Sequence, residues 1–557
     1  MLVVPKSIRK FLIVALPILT LFEIWNIPRD AFFDLPFAGF VVHLIKFHDY
    51  TLIFANAFAL AALAAGIFAL KHHKKGEIVA AYIYASCAIG ITFTGDLLSL
   101  FLMWEIMAVA STIIILYGGT DKARKAAYRY AVLHFFGGAL LIASLACYYN
   151  FYNTIDLIPL KASWRDWLTI PNAEFDKIAS WALLIAILIN VAAPPFSSWL
   201  ADSYPESSPW GGVFLSAFTT KTAVFVLLTE FAGQDILIPI GIFMIFYGII
   251  WAMLENNLRR ILSYSIVNQV GFMVVGIGIG TPLALAGVGA HAFCHIMYKG
   301  LLFMSAGAVI TQTGKHKCTE VGGLFRTMKF TTIAGIVGAL AISAFPLTSG
   351  FVSKSLITSA SANEHMMIVW MFLVAASAGV FLHAGVKFPW FAFFQKDSGL
   401  RPKEAPFNMR FAMGILIVLC ILPGIFPQYL YAMLPIEIDY EPNTSYHIIY
   451  QLQLLLFAGF AFFAFLPLMK RTETISLDWD FLTRVFGLGA IKNIEKISKL
   501  VSEFALRNIN YVMKRFEKIL YKNFNPIGRF SVTWKISDTV FYTTIMLAGF
   551  ILIYFFR

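Results

Sequence analysis

The 28 residues from 283 to 310 read LALAGVGAHAFCHIMYKGLLFMSAGAVI, and this stretch decides the fold class. It is long enough to cross the hydrocarbon core of a bilayer, which takes about 20 mostly apolar residues. His291, His295 and Lys299 interrupt it at intervals of four. That spacing places all three on one face of a helix, over about 12 Å of its axis. The first expectation is therefore a membrane span that carries a stripe of ionisable groups.

The composition of the whole chain agrees with a membrane protein. Of its 557 residues, 59% are hydrophobic and 13% are charged, whereas soluble domains contain about 25% charged residues. This excludes a soluble enzyme, a disordered chain and a secreted disulfide scaffold. The five cysteines are scattered without CxxC spacing, so neither a metal knuckle nor a disulfide framework is implied.

Fifteen stretches, including the first, are apolar and long enough to be spans. They lie at about 11–27, 49–70, 77–95, 97–117, 127–149, 178–200, 211–232, 236–254, 261–280, 283–310, 330–360, 366–394, 410–434, 447–469 and 537–556. The sequence thus predicts an all-α polytopic membrane protein with 14–15 transmembrane helices. We divide it into an N-terminal span and loop (1–48), a transmembrane core (49–434), an additional span (435–469), a basic segment (470–535) and a C-terminal transmembrane helix (536–557).

The distribution of Lys and Arg supports this span count. If the N-terminus lies in the cytoplasm and the loops alternate, 33 of the 43 basic residues fall on the cytoplasmic side. Because basic residues concentrate in cytoplasmic loops, the net charge of +12 reports orientation and does not indicate a nucleic-acid partner. We therefore expect a multi-pass integral membrane protein.

The segment 470–535 is polar and basic, yet it keeps apolar residues at helical spacing. This pattern favours an amphipathic helix that lies along the membrane surface or along a partner. The alternative is a solvated basic linker that touches anionic lipid headgroups.

Further ionisable residues lie within or beside other predicted spans, namely Glu105, Lys221 and Lys354. Each costs about 2.5–3.5 kcal/mol on membrane-insertion scales, so each needs a reason. A single such residue can simply pin two helices together. A set of them in one bundle, including two histidines whose ordinary pKa lies near neutral pH, is what a proton relay requires. The two histidines lack a third ligand of suitable spacing, so no metal site is predicted.

Two spans contain helix breakers. Pro194 and Pro195 interrupt one span, and Pro346 and Gly350 interrupt another. Backbone groups freed inside a bilayer must face protein or water. Two interrupted helices in corresponding places are typical of transporters built from inverted repeats, here two repeats of five helices. Two ordinary proline kinks are the alternative.

Six segments together resemble the antiporter-like proton-translocating family, over residues 50–434. They are GDLLSLFLMWEIMAVAS, APPFSSWLADSYP, LSAFTTKTAVF, LRRILSYSIVNQVGF, HAFCHIMYKGLLF and FPLTSGFVSK. The family comprises subunits of Mrp-type sodium/proton antiporters and the large membrane-arm subunits of respiratory complex I. The resemblance implies a subunit of a hetero-oligomeric membrane complex that handles protons and a monovalent cation, with no cofactor of its own.

The resemblance also implies which residues form the family's charged axis across the membrane. They are Glu105, Lys221, His291, His295, Lys299 and Lys354, joined by the basic pair Arg259 and Arg260 and by Asp202 after the first break. One position departs from the family, because Asn190 stands where a lysine normally pairs with the glutamate. A neutral amide cannot hold a proton at neutral pH, so independent pumping by the first half is in doubt.

Three alternatives remain open. The tail resembles the longest complex I subunit, whereas the core resembles Mrp-type D subunits; we give the core more weight, and a complex I pumping subunit is the alternative. A multi-span membrane enzyme, such as a lipid-modifying transferase, would need its catalytic cluster at an interface. A scaffold that has lost transport is favoured only by Asn190. The sequence therefore favours a transporter subunit over an enzyme, and within complex I it would be a non-redox subunit of the NADH:quinone oxidoreductase.

Overall fold

The computed structural model describes residues 4–71, 74–157, 175–467, 478, 480–524 and 535–555. The chain divides into two compact units, Met1–Trp479 and Asp480–Arg557. In the described part, all regular structure is helical except for one β-hairpin.

The first unit contains eighteen helices and two strands in its described part. Their bounds are α1 Lys6–Asn26, β1 Phe33–Phe37, β2 Phe40–Ile45, α2 Thr51–Ala69, α3 Lys75–Ile91, α4 Leu97–Leu116, α5 Asp121–Tyr152, α6 Phe175–Asn190, α7 Ser198–Ser203, α8 Pro209–Ala217, α9 Thr219–Glu230, α10 Leu237–Leu254, α11 Leu258–Ile279, α12 Pro282–Thr313, α13 Lys329–Ile342, α14 Ser349–Asn363, α15 Met367–Val380, α16 Phe407–Ile425, α17 Gln428–Tyr431 and α18 Ser445–Ala464. Wide π-helical turns extend α15 to Phe394.

The helices confirm the predicted fold class. In the described part, eleven are long and apolar enough to cross a membrane when α8 and α9 are counted as one. The two broken spans begin in the shorter apolar helices α6 and α13. The two predicted spans that remain correspond to α1 and α3. All fifteen predicted spans therefore lie on helices, and the chain is a polytopic membrane protein. The inverted-repeat relation between its halves stays a prediction.

The stretch that opened the sequence analysis forms the centre of the bundle. Residues 286–310 of α12 are all buried, as expected for a helix that is hydrophobic on every side. Its neighbours are α2, α8, α11, α13, α14 and α16. The ionisable stripe is therefore enclosed by protein rather than by lipid.

Both predicted breaks are present, and they are built alike. The helix α6 ends at Asn190 and α13 ends at Ile342. Two residues later the backbone turns left-handed, at Ala192 with φ 61° and at Ala344 with φ 56°. A third break separates α8 from α9 at Phe218. The sequence analysis did not predict this third break, since neither proline nor glycine occurs there.

The β-hairpin is a second feature that the sequence analysis did not anticipate. Phe37 pairs with Phe40 across the loop Ala38-Gly39, and both loop residues have positive φ, 51° and 84°. A two-residue loop of this kind matches the right-handed twist of the strands it joins.

The second unit consists, in its described part, of α19 (Asp480–Phe524) and α20 (Ile536–Phe555). The helix predicted within 470–535 is confirmed over the 45 residues of α19. Residues 470–477 and 525–534 lie outside the described residues. That α19 lies along the membrane surface stays a prediction.

Candidate functional site

The stripe on α12 forms the centre of a candidate site. His291, His295 and Lys299 are each 0% exposed. Lys299 donates through Nζ to the carbonyl oxygen of Leu262 on α11, at 3.0 Å. Neither ring nitrogen of His295 has a hydrogen-bond partner among the described residues. One ring nitrogen can therefore donate to water, and the other can accept from water or take up a proton.

Hydrogen bonds fix the tautomer of His291. Tyr298 donates its hydroxyl hydrogen to Oε1 of Gln269 at 3.1 Å, so its oxygen can only accept from His291 Nε2 at 3.4 Å. Nδ1 of His291 then accepts from the hydroxyl of Ser353 on α14 at 2.9 Å, which is shorter than the 3.4 Å from the same hydroxyl to the carbonyl oxygen of Gly350. A direct chain of hydrogen bonds thus links α11, α12 and α14 through one imidazole.

Two lysines close two of the helix breaks. Lys221 on α9 donates to the carbonyl oxygen of Ser216 at 2.5 Å, across the break at Phe218. Lys354 on α14 donates to the carbonyl oxygen of Ile342 at 2.7 Å, across the second proline break. Carbonyls freed within a bilayer must find a donor in the protein. Both lysines are almost fully buried, so each combines a structural contact with a buried charge.

Five of the six predicted site residues lie within electrostatic reach of one another. His295 interacts with Lys221, His291, Lys299 and Lys354, and we call these five residues the cationic cluster. No salt bridge among the described residues joins a member of this cluster to a carboxylate. Because buried like charges repel one another, a proton on one member of the cluster disfavours a proton on its neighbours.

The sixth residue, Glu105, stands apart on α4. Its carboxyl group packs against Gly138 of α5, and Oε1 has no hydrogen-bond partner in the described part of the chain. Asn190 packs against the adjacent Gly137 and donates to the carbonyl of Ala186 on its own helix, at 3.2 Å. Asn190 therefore does not replace the missing lysine as a cationic partner.

A buried group of hydroxyls connects the helix of Glu105 with the helix of Lys221. The hydroxyl oxygen of Tyr84 lies 2.6 Å from Oγ1 of Thr219, and Thr219 precedes Lys221 by two residues. The hydroxyl of Tyr130 lies 3.4 Å from the same Oγ1, and it donates to Oγ of Ser111 on α4 at 2.9 Å. The sequence analysis missed these residues, since tyrosines and threonines are unremarkable within apolar spans until the fold brings them together.

A cavity of about 420 Å³ opens beside Lys354. Its polar lining includes Lys354, Ser355, Thr358, His365, Tyr440 and His447. A water molecule occupies about 30 Å³ in the liquid, so the cavity has room for roughly a dozen. By the predicted topology it lies on the side opposite the basic loops.

Other ionisable residues are held by structural contacts. Arg259 donates to the carbonyl oxygen of Ser207 at 2.8 Å, and Asp202 accepts from Arg129 at 2.7 Å. Lys387 on the extension of α15 donates to three carbonyl oxygens at the end of α10, at 2.6–2.7 Å. The buried carboxyl group of Glu77, which the sequence analysis missed, accepts from Trp210 at 2.8 Å.

A family model agrees with this arrangement. The model described as "NADH:quinone oxidoreductase/Mrp antiporter, TM" matches residues 94–379, half of the chain. The chain belongs to this family. The matched residues include all six predicted site residues.

Relatives of known sequence extend the comparison. The chain is 31% identical over 290 residues to a Na(+)/H(+) antiporter subunit of Alkalihalophilus pseudofirmus, a match that spans 50% of the chain and 58% of that relative. It is 29% identical over 337 residues to an NADH-quinone oxidoreductase subunit of Desulforudis audaxviator, spanning 57% and 64%. The chain thus spans less than two thirds of the length of either relative.

Two solved complexes contain chains of the same fold. A chain of the Mrp complex from Dietzia sp. DQ12-45-1b superposes with a TM-score of 0.69 at 17% identity, over 81% of this chain and 95% of that one. A chain of the archaeal membrane-bound sulfane sulfur reductase gives 0.68 at 20% identity, over 98% and 96%.

Proposed function

We propose that this chain is the proton-translocating subunit of a multi-subunit antiporter that exchanges a monovalent cation, sodium in the first place, for protons. The observation that carries the proposal is the cationic cluster, which gathers five titratable side chains on α9, α12 and α14 inside a membrane bundle. A group of buried lysines and histidines in which each positive charge disfavours the next is suited to passing protons along.

The order of the residues supports one proton route. Protons reach Lys221, pass by way of His295 to Lys299 and His291, and continue to Lys354 beside the cavity. Each lysine keeps one carbonyl contact, so gaining or losing a proton leaves its position fixed. Water bridges the gaps that exceed hydrogen-bond length.

The cluster is suited to protons and poorly suited to sodium. Sodium ions are bound by oxygen ligands, preferably carboxylates, and the cluster offers ammonium and imidazole groups instead. We therefore assign the proton path to this chain and the cation path to partner membrane subunits or to the interface with them. Glu105 would act on the cluster through the buried hydroxyls of Ser111, Tyr130 and Thr219, which connect α4 with α9.

A second candidate is a pumping subunit of a respiratory complex. The likeness to the sulfane sulfur reductase chain covers 98% of this chain, which includes the segment after α18. In such a complex the same cluster would move protons in response to redox chemistry carried out by other subunits. A scaffold without transport is a third candidate, and the neutral Asn190 is the observation that favours it.

Purification in mild detergent followed by reconstitution distinguishes these functions. The first proposal predicts co-purification with small membrane subunits and a sodium-driven collapse of a preset pH gradient. Lys299→Ala should abolish that exchange, while the matched surface variant Lys315→Ala should leave it unchanged. Co-purification with iron–sulfur subunits would support the respiratory candidate, and exchange that survives Lys299→Ala would contradict both transport functions.

A further inference from the structure

A buried histidine outside the predicted site has an unused ring nitrogen. His134 on α5 is 1% exposed, and its Nδ1 lies 2.9 Å from the carbonyl oxygen of Tyr130. A carbonyl only accepts, so Nδ1 carries the hydrogen and Nε2 carries a lone pair. Nε2 has no hydrogen-bond partner within the residues that the structure describes. His134 is therefore a buried base in its neutral, proton-accepting form.

The position of His134 on α5 relates it to both ends of the missing ion pair. His134 precedes Gly137 by three residues and Gly138 by four, so the three lie on one helix face, within about 6 Å along the axis. The carboxyl group of Glu105 packs against Gly138, and the amide of Asn190 packs against Gly137. His134 thus lies one turn from the place where the family has its lysine and glutamate.

The ring of His134 also contacts residues beside the first helix break and beside the buried hydroxyls of Tyr130 and Thr219. The imidazole stacks on Tyr130 with ring centroids 3.8 Å apart, and it makes a T-shaped contact with Trp199 at a centroid distance of 4.6 Å. Trp199 caps the end of α6 by donating to the carbonyl oxygen of Ile189 at 2.9 Å. The hydroxyl of Tyr130 leads on to Thr219, beside Lys221.

Packing alone does not account for this residue. A phenylalanine would fill the same stack between Tyr130 and Trp199 without burying an acceptor. The imidazole instead leaves a desolvated nitrogen without a bond, which carries a free-energy cost. A buried group that is costly in a membrane domain and lies between other titratable groups has a functional explanation by default.

We propose that His134 is the proton carrier of the first half of the axis, in place of the lysine that is absent at Asn190. The inference rests on the proposed function. Nε2 takes up a proton to form an imidazolium whose Nδ1–H keeps its bond to Tyr130, and the proton leaves again from Nε2. The proton comes from a bound hydronium, whose O–H bond breaks as the Nε2–H bond forms, and it returns to a second bound water when Nε2–H breaks. No oxidant or reductant is involved.

The test combines His134 with Asn190 in the reconstituted complex. His134→Gln should lower cation/proton exchange by about 100-fold, the scale of a lost proton-transfer group. Adding Asn190→Lys to that variant should restore exchange, because it returns a titratable group from α6 to the face of α5 at Gly137, one turn from position 134. A histidine that matters only for packing would not be rescued in this way. His316→Gln, in a loop, serves as the matched histidine control with unchanged exchange.

His134→Phe keeps the ring stack and covers the case in which His134→Gln does not assemble. Wild-type exchange in either assembled variant, or a loss that Asn190→Lys does not restore, overturns the inference. Lys299→Ala is measured in the same vesicles. If it abolishes exchange while His134→Gln does not, the role of His134 fails and the proposed function stands. If the wild-type complex itself shows no exchange, both fail.

Discussion

The ammonium group of Lys354 lies 2.7 Å from the carbonyl oxygen of Ile342, the last residue of α13. One side chain therefore closes a helix break and also borders the cavity that approaches the cationic cluster. Lys221 repeats the arrangement at the break before α9. Because the contact is made to a carbonyl, a neutral amine can also donate to it. The break is held in both protonation states.

Replacement of Lys354 by arginine separates charge from proton transfer. A guanidinium still donates to Ile342 and keeps the positive charge, but it does not release its proton in a protein. Lys354→Arg should assemble with normal thermal stability and lose cation/proton exchange by at least about tenfold. Vesicle exchange assays and thermal unfolding of the same preparation check both parts. Wild-type exchange in this variant would show that only the charge of Lys354 matters.

In contrast to Lys354, Lys387 is expected to stabilise the fold without taking part in proton transfer. Its Nζ donates to the carbonyl oxygens of Ala252, Met253 and Glu255 at the end of α10, so its role is structural. Lys387→Met should lower the free energy of unfolding by about 1–3 kcal/mol because buried acceptors lose their donor. Exchange per folded complex should stay at the wild-type level. A stable Lys387→Met protein without exchange would place this lysine in the proton path.

The sequence predicted most of the fold because its dominant signal is local. Apolar length alone marks fifteen spans, and the pairs Pro194-Pro195 and Pro346-Gly350 mark two breaks. The break at Phe218 carries no such mark. Tyr84 from α3 accepts from the backbone N–H of Thr219, and Lys221 donates to the carbonyl of Ser216. These are tertiary partners that a local pattern does not contain.

The site was predictable to a similar degree and for the same reason. The spacing of His291, His295 and Lys299 requires only a helix, so the stripe follows from the sequence. The approach of Lys221 and Lys354 to that stripe depends on how three helices pack. His134 is a lone histidine in an apolar span, and only the packed structure reveals that its Nε2 has no partner in the described part of the chain.

The close packing of Glu105 on Gly138 makes that glycine a probe of the carboxylate. A Cβ at Gly138 would collide with Oε1 of Glu105, so the carboxyl group must turn away. Gly138→Ala should reduce exchange severalfold while α5 itself gains helix propensity, about 1 kcal/mol for Gly to Ala. Gly414→Ala on α16 is the matched control, because its Cβ would meet a single atom of Phe330 at 3.9 Å. Equal exchange in both variants would argue against a role for the position of Glu105.

The hairpin should respond to pH through His43 on β2. Its Nδ1 lies 2.7 Å from the carboxylate of Asp34 on β1, and this hydrogen bond raises the pKa of His43 above its ordinary value of 6.5. A raised pKa stabilises the folded state fully below about pH 6.5, and the stabilisation is lost as pH rises through the folded-state pKa. His43→Gln should therefore lower the Tm of the complex at about pH 5.5 and have little effect near pH 9. Asp34→Asn should reduce the same pH-dependent difference without removing it, because Asp156 lies 3.1 Å from Nε2 of His43 and also raises its pKa. A His43→Gln effect that grows with pH would contradict the assignment.

The hydroxyl of Tyr298 should matter more for proton movement than for stability. It joins Gln269 to His291 and thereby fixes which nitrogen of His291 accepts from Ser353. Tyr298→Phe keeps the ring but removes both bonds, so the free energy of unfolding should fall by only about 1 kcal/mol. Exchange should fall by at least about tenfold, because His291 can then adopt either tautomer and no longer presents a defined lone pair to its neighbours. Exchange assays and thermal unfolding measure the two effects together, with Tyr429→Phe at an exposed position as the control. A variant that loses stability and keeps wild-type exchange would show that this bond only holds α11 against α12.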